Sequence, residues 1–192
     1  ARDRAVVPWE GGLIEQERLA ADLLSSTQRV AQHIDALVRP LPARHRVVRP
    51  PAGGWSIDEI LEHLCLANAD YLPLMERALD TAVPAPGRGK WRATWGGWLL
   101  VRAMESSRRT AAPAAIVPEV APRHHVLDEM LSSLATLQSV ITRADGVEWR
   151  RVHLVSPYAR WLRLNLGDAA LVVVRHTERH ARQMARVAAA VR

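Results

Sequence analysis

Only one cysteine, Cys65, and only one lysine, Lys90, occur among the 192 residues. A lone thiol excludes an internal disulfide framework and fits a reducing compartment. With one lysine, the net charge of +6 and the pI near 10.8 rest almost wholly on arginine. Arginine is the better phosphate fork, so the composition raises the question of a nucleic-acid partner. The densest basic clusters, however, are the pairs Arg108-Arg109 and Arg150-Arg151. No basic stripe and no recognition motif follows from them, and scattered arginines read as solvated surface charge. Long apolar runs are missing too. The aliphatic run Leu171-Val172-Val173-Val174 is far too short to cross a bilayer. The charged sequence that follows Ala1-Arg2-Asp3-Arg4 contains no secretory h-region. A Ser/His/Asp constellation, a Gly-rich phosphate loop and a cysteine cluster are also lacking, and Gly53-Gly54 reads as a turn. These absences lead to the expectation of a cytoplasmic protein that acts on a small molecule, with no nucleic-acid and no membrane partner.

What is present is helical periodicity. Hydrophobic residues at 48% and charged residues at 24% describe an ordinary globular chain, long enough for one domain over residues 1–192. From Glu15 to Val38, Leu19, Leu23, Thr27, Val30, Ile34 and Leu37 recur on one face, and Pro40 and Pro42 end the segment. The run Pro50-Pro51-Ala52-Gly53-Gly54 cannot continue a helix, but Ser56 and Glu59 then form a capping box that opens one. This second helix is expected to reach Asp80, with a kink or break at Pro73. A third runs from His125 to Ala144, and a fourth starts near Asn165 or Asp168 and continues to the C-terminus. Val152 to Val155 is strand-like, whereas Leu171 to Val174 continues a helical spacing. The pattern predicts an all-α fold, an antiparallel four-helix bundle. Between helices two and three lies an excursion over about residues 82–123, opened by Pro84, Pro86, Gly87 and Gly89 and closed by Pro113, Pro118 and Pro122. It carries Trp91, Trp95 and Trp98 and a short apolar piece, Leu99 to Met104, that could be helical. Large aromatics in such a segment must bury somewhere, so one of the three is expected to pack over an end of the bundle and narrow access to it.

The chemistry concentrates on helix four. Ala169, Val173, His176, His180, Gln183 and Val187 follow at intervals of four, three, four, three and four, and so share one face. Two imidazoles in an apolar seam each need a partner, because a buried unpaired polar group costs about 1–3 kcal/mol. Histidines at i and i+4 place two nitrogens on one ion, as in helical zinc sites. His63, at the border of the apolar stripe of helix two, supplies a third. Three histidines from two helices form a facial set for one divalent ion, zinc or nickel, with coordination positions left open. Glu59, one turn before His63, is a candidate to orient it, and Gln183 is a candidate to face the ion or a substrate. His33, His45, His124, His125 and His153 fall off these seams, and Cys65 packs as a small apolar residue.

Two stretches resemble a known family. Gly54-Trp55-Ser56-Ile57-Asp58-Glu59-Ile60-Leu61-Glu62-His63-Leu64 is similar to the Trp-Ser-x-x-Glu-x-x-x-His-Leu signature of DinB-like proteins. Arg175-His176-Thr177-Glu178-Arg179-His180-Ala181-Arg182-Gln183 resembles their C-terminal His-x-x-x-His-x-x-Gln helix. The resemblance implies an antiparallel four-helix bundle with a three-histidine metal site, often homodimeric. It also implies relatives that act as S-transferases or isomerases dependent on a low-molecular-weight thiol. The tryptophan-rich excursion and the arginine-heavy last helix depart from the family pattern and leave the three histidines untouched. The leading expectation is therefore a divalent-metal-dependent enzyme, with a low-molecular-weight-thiol S-transferase as one version that the sequence does not choose over a hydrolase. A metal-dependent hydrolase and a non-catalytic metal-stabilised binding module are the alternatives.

Overall fold

The computed structural model describes residues 12–85, 89–105, 112–118 and 125–191. Four long helices dominate the described residues: α1 (Gln16–Val38), α3 (Ile57–Asp80), α5 (Val126–Arg143) and α6 (Leu166–Ala190). A single turn, α2 (Ala43–Arg46), and an eleven-residue helix, α4 (Trp95–Glu105), complete the helical set. Two short antiparallel pairs accompany them. β1 (Ile14–Glu15) pairs with β2 (Lys90–Trp91), and β3 (His153–Val155) pairs with β4 (Arg163–Asn165). The chain is mainly α. The strand-like run at Val152 to Val155 is thus a real hairpin arm, and Leu171 to Val174 lies within α6.

Helix starts follow side-chain chemistry. At α3, Ser56 accepts from the Glu59 amide while Glu59 Oε2 accepts from the Ser56 amide at 2.8 Å. At α6, Asn165 and Asp168 close the same reciprocal box, with both bonds at 2.9 Å. Each box satisfies two amides that the helix geometry leaves without partners. The expected break at Pro73 does not occur: α3 runs unbroken from Ile57 to Asp80. The carbonyl that loses its partner to the proline ring is that of Ala69, an exposed residue, so the released group falls on the solvent side of the helix rather than in the core. Of the excursion, α4 extends the predicted helical piece at both ends, and a 3-10 turn spans Ala114–Ile116. Pro86, Gly87, Arg108, Arg109, Pro122 and His124 lie outside the described residues.

Helices α1 and α3 each pack against both α5 and α6, and α4 lies along α6. The interior is divided. One apolar cluster gathers Leu23, Tyr71, Met75, Leu137 and Val174; a second gathers Val30, Ile60, Leu64, Leu134 and Ala181. Thr27, Asn68, Thr177 and His180 are buried and sit, along their helices, between a residue of one cluster and a residue of the other, and buried His63 lies within the second cluster with its ring 4.8 Å from that of His180. A polar layer therefore crosses the core. The two threonines satisfy themselves within their helices, Thr27 on the Leu23 carbonyl at 2.7 Å and Thr177 on the Val173 carbonyl at 2.9 Å.

One glycine at the start of α6 and one in α4 let the excursion pack against that helix. A Cβ at Gly167 would fall on the Trp91 indole, and one at Gly97 would fall on the Asp168 carboxylate. Trp91 is only 3% exposed, and its Nε1 donates to Asn165 Oδ1 at 2.7 Å. Gly167→Ala is expected to displace that indole and cost about 1–3 kcal/mol in urea unfolding. Gly146→Ala, where nothing lies near the added carbon, is expected to stay within about 0.5 kcal/mol. Equal stabilities would mean that the contact at Gly167 is not a packing constraint.

Candidate metal centre

The polar layer contains the three histidines that the sequence singles out. His63 comes from α3, two turns past its capping box, and His176 and His180 come from successive turns of α6. Their ring centroids form a triangle with sides of 4.9, 4.8 and 4.6 Å. One ligand nitrogen from each lies within 4.8 Å of the other two. His63 is 3% exposed and His180 is 7% exposed, while His176 retains more contact with the cavity beside it.

Hydrogen bonds on the far side of the rings define the protons. His63 Nδ1 lies 2.7 Å from the Ile116 carbonyl. A carbonyl only accepts, so the proton is on Nδ1 and the Nε2 lone pair faces inward. His180 Nδ1 lies 2.9 Å from Gln183 Oε1, which leaves its Nε2 for the site by the same logic. His63 Nε2 and His176 Nε2 are 3.1 Å apart. Two ligands of a tetrahedral zinc with bonds of about 2.0–2.1 Å would lie about 3.3–3.4 Å apart, a small adjustment from this separation. Converging ring nitrogens, with the outer nitrogens of His63 and His180 held by acceptors, form a donor set that fits a divalent cation.

The electrostatics favour the same protonation state. Burial pushes the His63 imidazole below its ordinary value, against the opposing pull of the Ile116 carbonyl. Burial, followed by His180, His63 and Arg179, pushes His176 well below it. Burial first and His63 next bring His180 down to about 3, although Gln183 acts in the other direction. All three rings are therefore neutral at physiological pH, the form that binds metals.

Several residues matter that the sequence reading passed over. Trp55, immediately before the cap of α3, packs its ring 4.8 Å from His63 and 6.5 Å from His180. Ile116 contributes only a backbone carbonyl, which no side-chain pattern signals. Glu59, by contrast, does not orient His63. Its carboxylate is held by the Ser56 amide and by the Arg49 guanidinium, and the acceptor on His63 belongs to Ile116. Gln183 meets the site through His180 rather than by facing it directly. Cys65 is buried beside the Val126 carbonyl, away from the cluster. His33, His125 and His153 are exposed, and they and His45 stand outside the triad.

A cavity of about 190 Å³ opens from the histidines. Val172, Val173, Leu100, Met104 and Pro113 form much of its wall, and Asn68 and Tyr71 stand on it as polar groups. The excursion does narrow access to the triad, but not through Trp91, Trp95 or Trp98. Trp91 is committed to Asn165 in the core, Trp95 is 63% exposed and lies tilted against Trp161 at 5.9 Å, and none of the three lines the cavity.

The sequence profile of the DinB superfamily matches residues 26–184, and the chain belongs to that superfamily. The match spans all three histidines. No curated protein and no solved structure matches the chain.

Zinc or nickel is expected to bind at one ion per chain, with at least tenfold weaker binding in His176→Ala and no stoichiometric binding in the His176→Ala, His180→Ala pair. At a hundredfold excess over its dissociation constant the ion adds about 2.7 kcal/mol of stability, read as a higher Tm that a chelator reverses. Full occupancy in the double variant would remove the assignment. Stability of the metal-free protein carries a second signature. Folded-state histidines held below their unfolded value of about 6.5 contribute stability that is complete above that pH and declines as pH falls. Asp168, raised by burial to about 6, acts in the opposite sense, contributing most below its unfolded value and less as pH rises through 6. Urea titrations of wild type and His180→Leu between pH 7 and 4 isolate the histidine from that background. The variant is expected to lose less stability on acidification, and identical slopes would contradict a neutral buried His180.

Proposed function

We propose that this DinB-superfamily protein is a divalent-metal-dependent enzyme, and specifically an S-transferase for a low-molecular-weight thiol, built on an antiparallel four-helix bundle. The observation that carries the reading is the convergence of three neutral imidazoles, from two helices, on one end of an apolar cavity. Three protein ligands leave positions open on a zinc-like ion, the arrangement of catalytic rather than structural sites. When bound, a divalent ion supplies Lewis acidity that favours thiolate over thiol at neutral pH.

The chain's own residues supply the rest. His63, His176 and His180 would hold the ion through their inward nitrogens. The Ile116 carbonyl and Gln183 fix two of those rings from behind, so that neither turns its N–H toward the reacting groups. Trp55 and the aliphatic wall keep bulk water from the histidines, which strengthens every electrostatic interaction within the site. Arg179 stands on the cavity wall with its Nη1 donating to the Ala103 and Met104 carbonyls, both at 3.1 Å. It ties the end of α4 to the helix that carries two of the histidines and places positive charge beside the site. A cation there favours a thiolate over a thiol, in the same direction as the ion.

Zinc- or nickel-loaded protein incubated with glutathione, mycothiol or bacillithiol and monobromobimane is expected to conjugate the thiol above background. His63→Ala is expected to abolish the metal-dependent part. Thiol binding is also expected to change the visible spectrum of the cobalt-substituted protein. If no thiol gives metal-dependent conjugation and none perturbs the cobalt spectrum, the S-transferase reading falls. Metal-dependent cleavage of a neutral ester without added thiol would replace it by a hydrolase.

A further inference from the structure

Asn68 is the least explained member of the polar layer. It lies on α3, five residues past His63, or about 7.5 Å further along the helix axis. It is 2% exposed and lines the cavity that opens from the histidines. Its amide nitrogen donates to Ser133 Oγ at 2.8 Å and lies 3.8 Å from Met130 Sδ. The orientation is not free to reverse. Ser133 Oγ gives its single hydrogen to the Met130 carbonyl at 2.8 Å, so toward Asn68 it can only accept. The Asn68 amide must therefore present N–H to α5, and its carbonyl oxygen is left on the other branch, with no donor among the described residues. That oxygen is not sealed in the protein but reachable from the cavity, so a ligand that fills the cavity must supply a hydrogen to it or leave it unmatched in an apolar enclosure.

The cavity itself limits what that can be. Its volume of about 190 Å³ compares with the roughly 150 Å³ of an apolar cavity that accommodates benzene. Apart from the histidines and Arg179, most of its wall is aliphatic or aromatic. A ligand with one end at the imidazoles and the other at Asn68 spans about one substituted ring.

We propose that the site binds a compact molecule with an apolar body of about one ring and a hydroxyl or N–H donor at its distal end, received by the Asn68 carbonyl oxygen. The inference rests on reading the cavity as the substrate pocket of the metal centre and assigns the class of molecule that enters it. Asn68 is then the residue that selects for a donor over an isostere without one. Selectivity of this kind arises because the molecule lacking the hydrogen leaves the buried acceptor unpaired.

The test compares p-cresol with para-methylanisole, the same ring with the donor hydrogen replaced by methyl. Binding is followed by tryptophan fluorescence and calorimetry on zinc-loaded wild type, Asn68→Leu and Ser133→Ala. Wild type is expected to favour p-cresol by about tenfold, as one hydrogen bond to an otherwise unpaired acceptor gives. Asn68→Leu is expected to lose that preference. In Ser133→Ala the amide is no longer locked, so the preference is expected to shrink by several-fold while the fold persists; this variant decides the matter if Asn68→Leu does not fold. Equal binding of the two probes by wild type, no binding of either, or a preference that survives in both variants would overturn the proposal. Zinc content measured on the same samples separates the two ideas. Stoichiometric zinc without the preference removes the Asn68 assignment alone, whereas an Asn68-dependent preference in protein that binds no zinc leaves it standing and removes the metal centre.

Discussion

The structure depends on one constraint: a layer of polar side chains crosses an otherwise apolar interior, and each member has to be satisfied where it stands. Packing would be simpler without it. An unsatisfied buried polar group costs about 1–3 kcal/mol, and five such residues without partners would remove much of the stability of a domain this size. The molecule resolves the problem in three ways. Thr27 and Thr177 return their hydroxyls to their own helices. Asn68 is tied across to α5 through Ser133, itself fixed on Met130. His63 and His180 are satisfied on their outer sides by Ile116 and Gln183, and the Nε2 atoms of His63 and His176 are left facing one another. Two places are left incomplete among the described residues, the Asn68 carbonyl oxygen and the inner face of the triad, and the second offers a donor set for a cation.

Much of this was legible from residue order, for reasons that can be named. Capping boxes are local: Ser56 with Glu59, and Asn165 with Asp168, need only three residues of chain, so helix starts follow from sequence directly. The spacing of His176 and His180 fixes them on one face, and the apolar residues around them fix which face is inward. His63 was found because it borders the apolar stripe of its helix, two turns past the cap. Ile116 was not, because any residue type can offer a carbonyl and its position depends on how the excursion folds back. The role given to Glu59 failed for a related reason. One turn of separation made it a plausible partner for His63, but its carboxylate was already committed to the backbone at its own helix start, an alternative the same motif provides. Pro73 shows a further limit: a proline removes a hydrogen bond, but whether that breaks a helix depends on whether water can reach the carbonyl released.

The excursion between α3 and α5 departs most from a simple helical repeat, and it contributes more than a cover. Trp91 fills the space that Gly167 leaves open, Gly97 lets α4 lie against Asp168, and Thr94 donates its amide to the same carboxylate at 3.2 Å. These contacts fix the start of α6, the helix that carries two of the three histidines. Further along, α4 supplies the apolar wall of the cavity and Arg179 holds its last turn, while the 3-10 turn delivers the Ile116 carbonyl to His63. Trp91, which looks like part of a lid in the sequence, is therefore an anchor, and the aliphatic residues that follow Trp98 form the wall. The aromatics near the start of the excursion bury where a polar partner exists, as Trp91 does at Asn165, or remain at the surface, as Trp95 does against Trp161.

The same economy of position links the start of α3 to the site. Gly53 and Gly54 both adopt positive φ, 77° and 109°, which a residue with a Cβ rarely does, and they turn the chain sharply into the Ser56 cap. Burial alone would raise the Glu59 carboxyl, but the Arg49 guanidinium and the Ser56 hydrogen bonds outweigh it and keep the group ionised. That charge lies at the positive end of the helix dipole and also binds the arginine from the preceding segment. Trp55 is caught between the glycine turn and the capped residue, so little freedom remains for its backbone. Its indole consequently rests against His63 and His180 as a fixed wall rather than a flap. A motif that in isolation only starts a helix thereby also determines how the histidines are shielded from solvent. Loosening it at Arg49 or Gly54 would be felt at the metal centre before it was felt in the core, because Trp55 touches the imidazoles directly while the apolar clusters are held by all four long helices.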